Sequence, residues 1–201
     1  AWTIEASKKN RFIDRTIVTS DCSKIMKISE EYGAETLRRP SVLADDKAKS
    51  FDVAKHLINE INEKFDFITL LQPTSPLRNS AHISEAFQIL KEKKAKAVIS
   101  VCKTKDNPQC TNILPKDKSM ANFLSAKIVN SRSQDLQIYY KPNGAIYICD
   151  SNVFLKEKTF FINSEIFAYV MPSIDSIDID TQLDFDFAHF SITKNKILSS
   201  L

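Results

Sequence analysis

Phe65-Asp66-Phe67-Ile68-Thr69-Leu70-Leu71 runs directly into Gln72-Pro73-Thr74-Ser75-Pro76-Leu77-Arg78, and the fold is decided here. The first stretch is short, apolar and rich in aromatics, as expected of a strand buried on both faces. Two prolines then break it. Ser80–Glu92 comes next with helical periodicity, and Ala97–Cys102 reads as a second buried strand. Strand, helix and strand in that order predict a βαβ unit and a mainly parallel sheet.

The same alternation extends upstream. Phe51–Ile61 places Val53, Leu57 and Ile61 four residues apart, an amphipathic helix. Before it, Arg15–Thr19 carries the β-branched run Thr16-Ile17-Val18-Thr19, and Ser20-Asp21 can cap the next helix. Ser23–Tyr32 is that helix, with Ile25, Ile28 and Tyr32 on one face and Gly33 at its end. Ala34–Leu37 is a short strand that Arg38-Arg39-Pro40 breaks. Ala1–Lys9 is helix-like, whereas an α/β nucleotide-binding protein begins on a strand and a phosphate-gripping turn. An N-terminal piece is therefore expected to be missing.

Downstream the pattern changes. Between Lys103 and Tyr140 apolar residues thin out, and Pro108 and Pro115 interrupt the chain. Residues 103–140 are expected to form a β-rich insertion that serves dimerisation or covers substrate. Regular structure returns with Ala145–Cys149, Phe167–Met171 and Ile177–Asp180, then a last helix through His189 with Leu183, Phe187 and Phe190 as its buried face.

Composition bounds the function. The chain has 201 residues, 43% of them hydrophobic, enough for one domain with its own core. Lysine and arginine number 28 against 25 acids, a net +3 that does not mark a nucleic-acid binder. No apolar run approaches the ~20 residues of a membrane span. Cys22, Cys102, Cys110 and Cys149 are scattered and expected to be buried thiols, and the three histidines are too dispersed for a zinc site. A reducing, cytoplasmic setting fits. With only Gly33 and Gly144 present, no glycine-rich phosphate loop exists in the chain.

Four stretches could carry chemistry. In Ile177-Asp178-Ile179-Asp180, an extended backbone puts both carboxylates on one side, about 6.5–7 Å apart. They either hold a cation, with Mg²⁺ suited to oxygen ligands, or are caps and solvated edge residues. Thr181 with Asp184 has the spacing of a capping box. Gln72 presents an amide at a strand end, in a loop that either contacts a ligand or is a stiff turn. Lys141-Pro142-Asn143-Gly144-Ala145-Ile146-Tyr147 marks a tight turn into a strand. Phe160-Phe161 places adjacent aromatics on opposite faces, so at least one needs cover.

Leu70–Arg78, Pro142–Ile148 and Asp178-Ile179-Asp180, in this order and spacing, resemble the signature blocks of bacterial CMP-sialic acid synthetases, over Trp2 to about Phe190. The resemblance implies a three-layer α/β/α nucleotide-binding (Rossmann-like) domain with a dimerisation arm. It also implies transfer of CMP from CTP to the anomeric hydroxyl of a sialic acid-type sugar, with Mg²⁺ and release of pyrophosphate. By matching motif, Asp178 and Asp180 would hold the metal and act in catalysis. Arg39 and Ser50 would contact the cytidine; Gln72, Asn143 and Tyr147 the sugar. Phe160 and Phe161 would wall its acyl group, across a homodimer. Relatives often have arginine before the proline where this chain has Lys141, a point charge without the guanidinium fork, so Arg132 is the alternative partner for the sugar carboxylate. The family's basic loop of the form Ala-Arg-x-Gly-Ser-Lys-Gly has no counterpart here. Legionaminic or pseudaminic acid is the alternative substrate, and a catalytically inactive nucleotide-binding dimer the alternative of another class. A ketodeoxyoctonate transferase fits the Gln72 loop less well.

Overall fold

The computed structural model describes residues 1–45 and 48–199. Helix α1 (Trp2–Lys8) leads into β1 (Ile17–Ser20), α2 (Ser23–Glu31), β2 (Glu35–Arg38), α3 (Ser50–Ile61), β3 (Phe67–Leu70), α4 (Ser80–Glu92) and β4 (Ala97–Lys103). After the insertion, which holds the short α5 (Ala126–Val129), come β5 (Tyr140–Asp150), α6 (Ser151–Glu157), β6 (Ile166–Val170) and α7 (Gln182–Ser199). Asn79 and His82 begin α4 as a reciprocal cap: the Asn79 side chain accepts from the His82 amide, and His82 Nδ1 accepts from the Asn79 amide.

Strands lie in the order β3-β5-β4-β6, with β1-β2 as a separate pair. The β1/β2 and β4/β6 pairs are parallel. Only β5 runs against its neighbours, pairing antiparallel with β3 and with β4, so β3, β4 and β6 point the same way. The expected α/β architecture and mainly parallel sheet are what the chain adopts. Alternation along β4 sends Val98 to one face, where it packs with Ile83, Phe87, Leu90, Ile146 and Ile148 beneath α4. Ala97 and Ile99 go to the other face, against Phe154, Phe160 and Ile162.

Between β1 and β3 the two sheets stand apart. Each of these strands pairs with only one other, and the gap is a cavity of about 1720 Å³ lined by Ile17, Val18, Ile68, Leu70, Val53, Leu57 and Phe87. Strand β3 is accordingly not buried on both faces as expected: Phe67 is exposed and Ile68–Leu70 are half-buried, because one edge looks into this cavity.

Several further expectations are corrected. Residues 104–139 contain turns and α5 but no strand; they close a hairpin in which Lys103 pairs with Tyr140. Ile177–Asp180 is extended but outside any ladder, since only the Ile179 amide finds a backbone carbonyl, that of Thr74. Helix α7 runs to Ser199, and Leu183, Phe187 and Phe190 are exposed. Among the described side chains of the helix the buried ones are Ala188 and Ser191, about 100° round from them. On α2, Ile25, Ile28 and Tyr32 share a face, but it lies open. Cys102 and Cys149 are buried, whereas Cys22, at the exposed start of α2, and Cys110, in the insertion, are not.

Candidate active site

Three of the four stretches converge beyond the end of β3, and Lys141–Tyr147 is there a bulged part of β5 rather than the expected tight turn into a strand. Ser75 Oγ donates to the Asn143 carbonyl at 3.4 Å, and Arg78 Nε to the Ala145 carbonyl at 2.9 Å. Thr74 accepts from the Ile179 amide at 2.9 Å, so the Gln72 loop grips the aspartate segment directly. Asn143 is the hub. Its Oδ1 accepts from Ser100 Oγ at 2.6 Å and from the Ala145 amide at 3.3 Å, and its Nδ2 donates to Ser176 Oγ at 2.9 Å. Nδ2 also lies 3.3 Å from Met171 Sδ, and the residue is only 3% exposed. Its amide is thus occupied by protein, and its place is in holding the bulge of β5.

Gly144 sits at φ +76°, and a Cβ there would stand 2.3 Å from Gln72 Oε1. Both the positive φ and the close approach require glycine. The missing side chain is what lets the Gln72 amide lie across the start of β5.

Asp178 is half-buried, with its Oδ1 sealed from solvent and without a partner among the described residues; Asp180 is exposed. They border a cavity of about 500 Å³ with Lys141, Pro142, Asn143 and Ser176. Among the described residues no three His, Cys, Asp or Glu side chains gather as a ready-made metal cage. Two carboxylates, one with an orphaned oxygen, fit Mg²⁺, which keeps waters and substrate phosphates as its other ligands. Asp184 caps α7: its carboxylate accepts from the Thr181 amide and hydroxyl at 2.8 and 2.6 Å, which lowers its pKa.

Tyr147 pairs with Leu70 in the β3/β5 ladder. Burial, and secondarily the charge of Asp178, raise its phenol pKa, so the hydroxyl remains a donor. Phe160 and Phe161 flank its ring at 5.7 and 6.2 Å, but differently: Phe160 is 6% exposed and packs on Phe154, whereas Phe161 is 55% exposed.

The remaining residues lie elsewhere. Arg39 and Ser50 line the large cavity beside Thr19 and Gln72. Arg39 Nη2 donates to the Thr19 carbonyl at 2.6 Å, while its buried Nε has no partner among the described residues. Arg132 is exposed in the insertion and lines neither cavity. Sequence reasoning marked the Ser75 hydroxyl but gave no role to Arg78, Ser100 or Ser176, which build the clamp with it. Arg78 was the one with a visible signal, a lone cation closing an otherwise uncharged loop.

A family model described as Cytidylyltransferase matches residues 1–194. The chain belongs to the cytidylyltransferase family. It is 38% identical over 190 residues to the N-acylneuraminate cytidylyltransferase of Escherichia coli O18:K1:H7, covering 94% of this chain and 44% of that protein. Against the enzyme of the same name from Streptococcus agalactiae serotype III, identity is 35% over 185 residues, covering 91% and 44%. The chain thus spans less than half the length of these two relatives. Against the CMP-N,N'-diacetyllegionaminic acid synthase of Legionella pneumophila, identity is 30% over 199 residues, covering 92% and 81%. Among solved structures, a CMP:2-keto-3-deoxy-manno-octonic acid synthetase complexed with CTP superposes with a TM-score of 0.68 at 11% identity, over 96% of this chain and 87% of that one. That likeness bears on the fold, which is the three-layer nucleotidyltransferase architecture.

Proposed function

We propose that this chain is the cytidylyltransferase body of a CMP-sialic acid synthetase, transferring CMP from CTP to the anomeric hydroxyl of a nine-carbon sugar acid. The observation that carries it is the hydrogen-bonded meeting of the Gln72 loop, the bulged Asn143–Tyr147 part of β5 and the Asp178–Asp180 segment, with the exposed Phe161 beside Tyr147. The likeness to N-acylneuraminate cytidylyltransferases supports the same reading.

The anomeric oxygen bonds to the α-phosphorus as the bond to pyrophosphate breaks, so charge builds on the phosphates. Mg²⁺, held by Asp178 and Asp180, would supply the neutralising charge. Gln72 and the Tyr147 hydroxyl orient the sugar, Phe161 gives its acyl group an apolar wall, and Lys141, which borders the Asp178 cavity, faces its carboxylate. Arg39 and Ser50 meet the cytidine in the large cavity. That cavity lies between the free edges of β1 and β3 and suits one further strand whose following loop would bring phosphate donors. The cytoplasm, where CTP is made, is the setting implied.

A homodimer is part of the proposal. The insertion exposes Ile113, Met120 and Val129, and α7 exposes Leu183 and Phe190. Residues 104–139 carry five lysines and arginines against three aspartates, whereas 173–190 carry five aspartates and no lysine or arginine. Such complementary apolar faces suit reciprocal docking of two copies. Light scattering that reads a monomer at micromolar concentration removes this part.

The test is release of pyrophosphate from CTP and sialic acid by the full-length protein with Mg²⁺. Asp180→Ala is expected to lower kcat by about 10²–10³ while leaving the thermal midpoint unchanged. No turnover with any nine-carbon sugar acid ends the proposal. Higher kcat/KM with legionaminic or pseudaminic acid selects the second reading, which the Legionella relative supports.

A further inference from the structure

Arg78 is 2% exposed, and among the described residues no carboxylate pairs with it. Burial without a counter-ion is costly, and pushes its pKa down to about 10. Neutral acceptors from three elements compensate. Nε donates to the Ala145 carbonyl of β5 at 2.9 Å. Nη2 donates to the Gln72 carbonyl at 3.0 Å and to Thr3 Oγ1 of α1 at 2.9 Å, while Nη1 is buried without a partner.

The geometry fixes Gln72 at both ends. Its carbonyl is held by Arg78, and its side-chain oxygen lies where a Cβ on Gly144 would stand. The same guanidinium holds Ala145, the residue after Gly144, so the two surfaces that define the amide's position are joined through one rigid plane. Arg78 itself, sealed from solvent, touches no substrate.

We propose that Arg78 is the positioning residue of Gln72, setting its amide toward the sugar and so governing sugar rather than nucleotide affinity. This rests on the proposed assignment of Gln72 to the sugar. Only a planar fork serves both carbonyls at once; lysine keeps the charge but presents a point donor.

The experiment is a double-mutant cycle on the full-length protein, with CTP and sialic acid each varied. Arg78→Lys is expected to raise the sugar KM about tenfold, the worth of one well-placed hydrogen bond, and to leave the CTP KM within about twofold. In the Gln72→Ala background the same substitution adds less than about twofold, since it acts through the missing amide. Thr3→Val, which removes the acceptor that α1 offers to Nη2, is expected to raise the sugar KM by about two- to threefold, with the same loss of effect in Gln72→Ala. If Arg78→Lys does not fold, this second cycle decides. Equal rises for CTP and sugar, or additive effects in the cycle, overturn the positioning role while leaving Gln72 as a sugar contact. An unchanged sugar KM in Gln72→Ala removes the assignment of Gln72 and the inference with it.

Discussion

Around Gln72, Asn143 and Asp178, side chains from the β3 loop, β4, β5 and the approach to α7 hold one another, whereas around Arg39 and Ser50 the chain opens into a cavity of about 1720 Å³. The polar half is over-determined: Asn143 alone bridges Ser100 and Ser176. The cavity half rests on the short β1/β2 pair, and α3 is only half covered. Chemistry that needs sub-ångström alignment belongs where the scaffold cannot relax, so under the proposed function sugar orientation would fall to the first half and nucleotide admission to the second.

The comparison is broken most sharply inside the tight half, at two adjacent phenylalanines. Phe160 packs on Phe154 at 4.6 Å in the core, so Phe160→Ala is expected to cost about 3–5 kcal/mol in urea unfolding. Phe161 is 55% exposed beside Tyr147, and Phe161→Ala should leave stability within about 0.5 kcal/mol while raising the sugar KM and not that of CTP. Equal destabilisation by the two would make Phe161 a core residue and remove it from the sugar wall.

A smaller effect separates the two halves by hydrogen exchange. Strand β4 is paired on both sides, but β1 and β3 each leave one edge open to the cavity. In protein made as residues 1–201, amides of β1 and β3 are expected to exchange about 100-fold faster than those of β4. In full-length protein, a strand lodged in the gap would bring the rates together. Equal protection in the 201-residue protein would mean the cavity is closed in solution, and the contrast between the halves would go with it.

How much of this is legible in the sequence depends on the range over which each feature is encoded. Ser80–Glu92 is legible to the residue, because helical period and cap are local. The Thr181/Asp184 cap is equally visible at its spacing of three. The clamp is not: Arg78 to Ala145, Ser100 to Asn143 and Asn143 to Ser176 join residues 67, 43 and 33 apart, and no local pattern foretells them. Phe160-Phe161 shows that one aromatic needs cover, but which one depends on the direction of the chain after α6. Leu183, Phe187 and Phe190 form the expected stripe on α7, yet the close-packing residues are Ala188 and Ser191, whose small side chains carry little apolar signal.

The smallest expected effect concerns pH and the attachment of the aspartate segment. His82 Nδ1 accepts the Asn79 amide, so in the neutral ring the proton is on Nε2, which faces Asp175 Oδ2 at 3.6 Å. Burial lowers the His82 pKa and the charge of Arg78 acts in the same direction; the carboxylates of Asp175 and Glu85 oppose them without reversing the shift. Tyr169 packs nearby, its ring 6.4 Å away and its hydroxyl donating to Glu85. The folded state therefore favours neutral His82, and protonation would put a second donor against the Asn79 amide. Between the lowered folded pKa and the unfolded value of about 6.5, the unfolded chain binds more protons, so stability rises with pH through that window and levels off above it. The contribution of one histidine is at most about 1.4 kcal/mol per pH unit. His82→Gln keeps an acceptor for the cap but cannot titrate. Urea unfolding from pH 5.5 to 7.5 should give a flatter pH dependence for His82→Gln than for the parent, and identical slopes would show that another group carries the acid sensitivity of the tight half.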